Sequence, residues 1–567
     1  MAVPATGAVT PRPTRPLRRT LPEVVSFLSA LPGAELAPAE VSYAERSDAG
    51  WADVVITGIS QDSRSVVPAD LYVARPGDRS HGATYAQTAA DGGAVAALTD
   101  PAGRDRCEAA GLATLVVPDP RAVVGELSAW MYGNPARDLL MLGITGTNGK
   151  TTTAFLLEAA LRYAGRQTGL LGTTGTRIGT EILPSARTTP EAPDLQALLA
   201  VMLERGVQAV SMEVSSHALV HGRVDGTIYD VAGFTNLSQD HLEFHGDLES
   251  YFRAKASLFT SEHARVGVVN LDDEHGRRLV HETPIEVVTY SAAGDPAADW
   301  RAEDVRAATD GGSDFRVRGP GGIDVAVSLS LPGDFNVANA LLATAVLATA
   351  GLYPEEFLPA FAEVALPGRM ERVTAGQDFV VLVDYAHTPD AIARALDTMR
   401  ARTPGRLVTV LGCGGDRDRG KRPLMGATAA RHADLTVITD DNPRSEDPAA
   451  IRSAALHGAR EVPAADRGEV REVADRREAI RYALGAARPG DTVLVLGKGH
   501  EQGQDVAGVV HPFDDRVVVA EELARMSGRH GAGLAAGPEA GHEAAHEARH
   551  EAEHGAGREA GREGAQR

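Results

Sequence analysis

Leu139-Leu140-Met141-Leu142-Gly143-Ile144 runs, across Thr145, into Gly146-Thr147-Asn148-Gly149-Lys150-Thr151-Thr152 and then into Ala154-Phe155-Leu156-Leu157. The first run is apolar and predicts a strand, the second a glycine-bearing loop and the third a helix. Backbone N–H groups at such a helix start converge on an anion. Lysine adds a point charge there, and the Thr151 hydroxyl can hold Mg²⁺. The strict G-x-x-x-x-G-K-[ST] pattern places its first glycine where Ile144 stands. Gly-Lys-Thr is common in arbitrary loops, so the strand before it and the helix after it decide the reading. The motif establishes binding of a nucleoside triphosphate and leaves the reaction open.

Outward from this loop the same alternation continues. Ala209–Val214 and Val266–Asn270 are apolar runs on its C-terminal side, and Leu71–Ala74 and Ala113–Val117 precede it. Phe379–Val383, Leu407–Leu411 and Thr492–Leu496 follow later. Such runs, separated by helical patterns, predict an α/β protein with parallel sheets covered on both faces. Turn residues at Gly133–Arg137 and Pro367-Gly368 divide the chain into an N-terminal α/β domain (21–137), a central P-loop domain (138–367) and a Rossmann-like C-terminal domain (368–527). A length of 567 residues suits three or four domains of about 150 residues each.

Residues 1–20 are rich in Pro, Arg and Thr and predict a flexible leader, while 528–567 carry almost nothing to bury and predict a disordered tail. Within that tail His542-Glu543-Ala544-Ala545-His546 fits the H-E-x-x-H zinc pattern, and His550 and His554 continue the spacing. A catalytic zinc helix needs a domain and a cleft around it, so a solvated tail is the reading taken.

Fifty-six Lys+Arg against 77 Asp+Glu give a net charge of −21, which argues against gripping nucleic acid or an anionic membrane. The two cysteines, Cys107 and Cys413, suit a reducing compartment. The alanine-rich run near Leu341–Leu352 is well short of the roughly 18 residues of a membrane span. No apolar segment follows the N-terminal arginines, so a cytoplasmic protein is expected.

Three further segments narrow the chemistry. Glu213, at the end of a predicted strand, can take a metal that bridges phosphates, and Asn236–His241 offers another ligand in His241. Lys255 lies inside a helical stripe of Tyr251, Phe252, Leu258 and Phe259. Burial lowers a lysine pKa, and the neutral amine can take up CO₂ as a carbamate. Composition alone favours snorkelling of the amine to water.

Together with Leu331–Asn339, Gly368–Glu371 and Asp384–Asp390, these segments resemble the Mur ligases, in order, from about residue 59 to 501. The resemblance implies three domains and an ATP-dependent ligase that forms an amide on a UDP-MurNAc-peptide in peptidoglycan synthesis. It implies catalytic roles for Lys150, Glu213, His241 and Lys255. Lys255 would be the carbamylated lysine, and Thr151, Glu213 and His241 would complete the environment of two Mg²⁺ ions. ATP would meet Gly146, Thr147, Asn148, Gly149, Lys150, Thr151 and Thr152, with Asn336, Arg369, Asp384 and His387. UDP-MurNAc-L-Ala-D-Glu would meet Ser63, Asp78, Arg79, Ser80, Thr188, Thr189, Ser215 and Arg223.

Asp441-Asn442-Pro443-Arg444 resembles the mark of family members that add diaminopimelate. That amino acid differs from lysine by a second carboxylate, which a guanidinium can grip with paired donors. By the same resemblance Arg417 would hold the near carboxylate, and Gly497 and Glu501 would accept from an ammonium. Two positions depart from the pattern: Arg187 where asparagine is expected, and His221 where glutamine is. The expected protein is a monomer with small-molecule substrates only. Its alternatives are a lysine-adding sibling, a folylpolyglutamate synthetase, a non-catalytic nucleotide binder, or metal storage through the tail.

Overall fold

The computed structural model describes residues 10–31, 41–42, 53–77, 80–185, 187–308 and 311–526. The strand Leu140–Thr145 lies at the centre of the largest sheet, flanked in parallel by Ala209–Glu213 and Tyr229–Phe234. Alternate residues of a strand face opposite sides. Leu142 and Ile144 therefore enter one hydrophobic layer and Met141 the other. The first layer holds the helices Lys150–Tyr163 and Asp334–Thr349; the second holds Ala192–Glu204 and Leu248–Ala256. The alanine-rich run is thus a core helix, with Leu341, Leu342, Val346 and Leu347 fully buried. Among the described residues the sheet reaches eleven strands. It ends in antiparallel hairpins, Gly175–Ile178 with Glu181–Leu183 on one side and Ser313–Gly319 with Ile323–Leu329 on the other.

The N-terminal sheet pairs Gly58–Ser60, Asp70–Ala74, Ala96–Thr99 and Ala113–Val116 in parallel. In the C-terminal sheet Val380–Asp384, Thr492–Leu496, Leu407–Cys413, Leu435–Asp440 and Glu469–Glu472 run parallel, in that order. Below its strand ends sits Arg476, fully buried and paired with Asp515 through two bonds of 2.8 and 2.7 Å. Its guanidinium also donates to Leu496 O at 3.0 Å, fastening the strand that precedes Gly497.

The leader expectation is corrected over residues 10–20, which pack as an arm. Arg12 donates to Ile59 O at 2.9 Å and pairs with Asp70 at 3.3 Å, and it also meets the Tyr132 hydroxyl. The backbone N–H groups of Thr14 and Arg15 each donate to the Glu204 carboxylate at 2.8 Å. Arg19 lies 4.1 Å from the Trp130 ring centroid, and Arg19–Thr20 pairs with Val55–Ile56. A Pro/Arg/Thr composition hides this, because Arg12, Arg15 and Arg19 find their partners more than 35 residues away. The tail expectation and its histidines lie outside the described residues.

Candidate active site

The strand ends of the central and C-terminal sheets face a shared cavity of about 550 Å³. Thr147–Thr152 form one wall. Gly146 and Gly149 adopt φ of 143° and 88°. A Cβ on Gly146 would meet Thr235 Oγ1 at 1.8 Å, and one on Gly149 would meet Asn339 Oδ1 at 2.3 Å. Only glycine lets this loop turn so tightly into the helix at Lys150. Lys150 Nζ donates to Gly146 O at 2.8 Å and Thr147 O at 2.9 Å.

Glu213 ends its strand almost fully buried. Its carboxylate accepts from Thr151 Oγ1 at 2.9 Å, from Thr173 N at 2.8 Å and from Thr173 Oγ1 at 3.1 Å. Lys255 is 1% exposed, which corrects the snorkelling expectation. The helix Leu248–Ala256 buries Tyr251, Phe252 and Ala254 together with it, so the stripe carries the amine inward. Lys255 Nζ donates to Gly146 O at 2.7 Å and lies 4.5 Å from the Tyr251 ring centroid. Burial lowers its pKa well below the ordinary lysine value; Lys150 lowers it further and Asp240 opposes in part.

His241 sits at a left-handed φ of 55°, with Nε2 at 3.4 Å from Asp240 and Nδ1 at 3.7 Å from Glu243. Asp240 in turn meets Lys421 of the C-terminal domain at 3.3 Å. Burial alone would raise the Asp240 carboxyl, but His387, His241 and Lys421 outweigh it and hold it below the usual range. His217 stacks on Phe244 with centroids 4.2 Å apart, and burial, with His241 and His245, lowers it to about 4. Among the described residues no three His, Cys, Asp or Glu side chains gather as a metal set. The oxygen donors of Thr151 and Glu213 are of the hard kind Mg²⁺ prefers.

Four more contacts join the two domains around the loop. Arg369 donates to Thr151 Oγ1 at 3.1 Å while lying 4.3 Å from the Tyr385 ring centroid. Asn148 Nδ2 donates to Asp390 at 3.3 Å, and His500 Nε2 is 3.3 Å from Thr173 O. His387, whose Nδ1 meets Tyr385 O at 2.9 Å, approaches Asp240 at 3.9 Å. Asn336 and Asp384 also line the cavity; Asp384 accepts from the N–H groups of Met370 and Ala386 at 2.7 and 2.8 Å.

The opposite wall comprises Gly414, Arg417, Asp441, Asn442, Arg444, Gly497 and Glu501. Pro443 is absent from the lining, but its carbonyl lies where a Cβ on Gly415 would be, at 1.9 Å. Gly497 takes a φ of 113°, and a Cβ there would meet Asp441 Oδ2 at 2.8 Å. Arg444 Nη1 donates to Gly415 O at 2.6 Å.

Of the nucleotide-sugar residues, Thr188, Ser215 and Arg223 line the cavity, and Thr189 lies behind it, donating to Glu213 O at 2.8 Å. Ser63 and Ser80 belong to the N-terminal domain, away from the lining; Asp78 and Arg79 lie outside the described residues. The two departures from the expected pattern are accommodated locally. Arg187 joins Arg223 on the Glu191 carboxylate, both at 3.0 Å, and His221 meets Arg121. Asp240, Lys421 and Lys498 are among the residues of this region to which the sequence assigns no role. Their partners come from other segments, and only the Gly-Lys pairs at 420–421 and 497–498 hint at them.

A phosphate loop facing a second Rossmann-like domain across one cavity defines an enzyme that transfers phosphate to, or ligates, a substrate held between the two. Family models for the Mur ligase middle domain match residues 144–347, for the Mur ligase family catalytic domain 55–132, and for the Mur ligase glutamate ligase domain 368–499. The chain belongs to the Mur ligase family. It is 56% identical over 519 residues to a UDP-N-acetylmuramoyl-L-alanyl-D-glutamate–2,6-diaminopimelate ligase of Streptomyces coelicolor, covering 91% of this chain and 99% of that one. The enzyme of the same name from Corynebacterium glutamicum is 49% identical over 476 residues, covering 82% and 92%. A solved structure of a ligase of that name matches with a TM-score of 0.60 at 33% identity, over 85% of this chain and 97% of that one.

Proposed function

We propose that this chain joins diaminopimelate to the D-glutamyl carboxylate of UDP-MurNAc-L-Ala-D-Glu with cleavage of ATP to ADP and phosphate. The observation that carries the reading is the placement of Arg444 across one cavity from the phosphate loop. The glutamyl carboxylate attacks the γ-phosphorus, forming a C–O–P linkage as the bond to ADP breaks. The N–H groups of the loop and the Lys150 ammonium hold the transferring charge. The amine of diaminopimelate then attacks the acyl phosphate, loses a proton, and expels phosphate as the amide forms. Arg444 grips the far carboxylate, Arg417 the near one, and Glu501 with the Gly497 carbonyl accepts from the ammonium. The contacts between domains around the loop keep water from the acyl phosphate.

Thr151 and Glu213 fit Mg²⁺ as oxygen donors, with His241 and a carbamate on Lys255 completing the set for two ions. Bound there, magnesium would supply charge neutralisation to the phosphates. Burial favours the neutral Lys255 amine, the form that combines with CO₂, and the carbamate would turn a buried positive charge negative. The enzyme acts as a cytoplasmic monomer; among the described residues no helix is long and apolar enough to cross a membrane.

Phosphate release from ATP and UDP-MurNAc-L-Ala-D-Glu, with diaminopimelate or L-lysine at equal concentration, tests the reading. Release should depend on diaminopimelate, and in Arg444→Ala it should fall by about 100-fold, the loss of a paired charge-assisted contact. Equal or better release with lysine would overturn the amino-acid assignment.

A further inference from the structure

The wall that carries Arg444, Asn442 and Glu501 is organised from behind by a side chain outside the cavity lining. Lys498 is fully buried. Its Nζ donates to Asn442 Oδ1 at 3.0 Å, to Glu501 Oε2 at 3.1 Å and to Gly503 O at 2.6 Å. An ammonium has three donors, and each one here has an acceptor.

Every acceptor leads to the amino-acid wall. Asn442 Oδ1 is taken by Lys498 and by the backbone N–H of Asp505 at 3.0 Å, so its amide is oriented and Nδ2 donates to Glu501 Oε2 at 2.7 Å. Glu501 Oε2 therefore has two donors, which leaves Oε1 as the acceptor for a ligand ammonium. The third acceptor, Gly503, begins the hairpin Gly503–Val506 with Val509–Pro512. That hairpin clamps Arg444 through its backbone: Arg444 N donates to Asp505 O at 2.9 Å, and Ala507 N donates to Arg444 O at 2.7 Å. Arg444 adopts a φ of 52°, a left-handed conformation that a side-chain-bearing residue holds only when its surroundings enforce it. Gln504 of the same hairpin donates to Asp441 O at 2.7 Å.

We infer that Lys498 is the positioning residue for amino-acid selection: one buried ammonium sets the Asn442 amide, leaves a single Glu501 oxygen for the substrate, and anchors the hairpin that aims Arg444. The inference rests on the diaminopimelate reading above. No common replacement reproduces it. Methionine keeps the length and loses all three donors, while the planar fork of arginine cannot meet three acceptors converging on one point.

The test uses the full-length enzyme with Lys498→Met and Lys498→Arg, measuring KM for each of the three substrates and the diaminopimelate:lysine preference, with thermal unfolding alongside. KM for diaminopimelate should rise about 30-fold in both variants, while KM for ATP and for UDP-MurNAc-L-Ala-D-Glu stays within about 3-fold of wild type. The preference over lysine should fall with it. A folded variant with wild-type KM for diaminopimelate overturns the inference, as does an equal rise for all three substrates, which would mark a purely structural role. A second variant keeps Lys498 and replaces residues 505–510 by Gly-Gly. It should lose the same preference through Arg444; a folded hairpin variant with wild-type preference overturns the inference even if the Lys498 variants do not fold. Should wild type release no phosphate with diaminopimelate, the proposed function itself fails. Should wild type do so and the variants match it, only the role of Lys498 fails.

Discussion

Lys255 and Lys498 both come from helix or strand ends next to the cavity, and both are hidden, at 1% and 0% exposure. Lys255 finds one acceptor among the described residues, a carbonyl, and has a second lysine as its neighbour. Lys498 finds three acceptors, one of them a carboxylate. Burial by itself therefore does not tell what a lysine does; the number and charge of its acceptors do. A desolvated amine with one neutral partner is pushed towards its neutral, reactive form, whereas one with a full set of partners acts as a scaffold.

Replacing each lysine by methionine should split the pair. Lys255→Met should cost about 10³-fold in turnover, the largest effect expected here, as for loss of a group that supports charge at the transferring phosphate. Its Tm at neutral pH should nevertheless rise, because the cost of burying, and so of deprotonating, that amine is removed. The sign is checkable. The folded pKa of Lys255 lies below its unfolded value, so the unfolded chain binds more protons in between. Wild-type stability should therefore climb as pH rises through that window toward the ordinary lysine value near 10.4, and the variant should lack the slope, read as Tm against pH in CO₂-free buffer. Lys498→Met should move the other way, losing about 1–3 kcal/mol through acceptors left without a donor, measured by urea unfolding. Parallel Tm changes in the two variants would break the comparison. The smallest effect belongs to the N-terminal arm. Glu204→Ala removes the acceptor of Thr14 and Arg15, and should cost less than about 1 kcal/mol with turnover unchanged.

Local features were legible in the sequence. The phosphate loop declares itself because strand, glycines, lysine and helix are contiguous, and Gly146 and Gly149 take the strained angles that their identity allows. The α/β class followed from apolar runs that turned out to be buried parallel strands. What sequence could not deliver depends on partners far along the chain. Asp240 and Lys421 are 181 residues apart, and Lys498 and Asn442 are 56 apart. Neither ion pair nor amide orientation leaves a periodic trace. Snorkelling was the wrong expectation for Lys255 because an apolar stripe says which face is buried and not how deeply its one polar member lies. The arm at residues 10–20 was hidden for a related reason: composition reports what a segment can solvate, and the Arg12 partners at Ile59, Asp70 and Tyr132 are supplied by another part of the fold.

Five contacts between the central and C-terminal domains border the phosphate loop: Lys421 and His387 on Asp240, Arg369 on Thr151, Asp390 on Asn148 and His500 on Thr173. A nucleotide held at that loop lies beside these pairs. Departure of the spent nucleotide is then tied to the opening of these contacts, and the pace of the whole cycle carries their lifetime. Solvent viscosity and ionic strength should therefore reach the catalytic rate from outside, through the exit rather than through the chemistry.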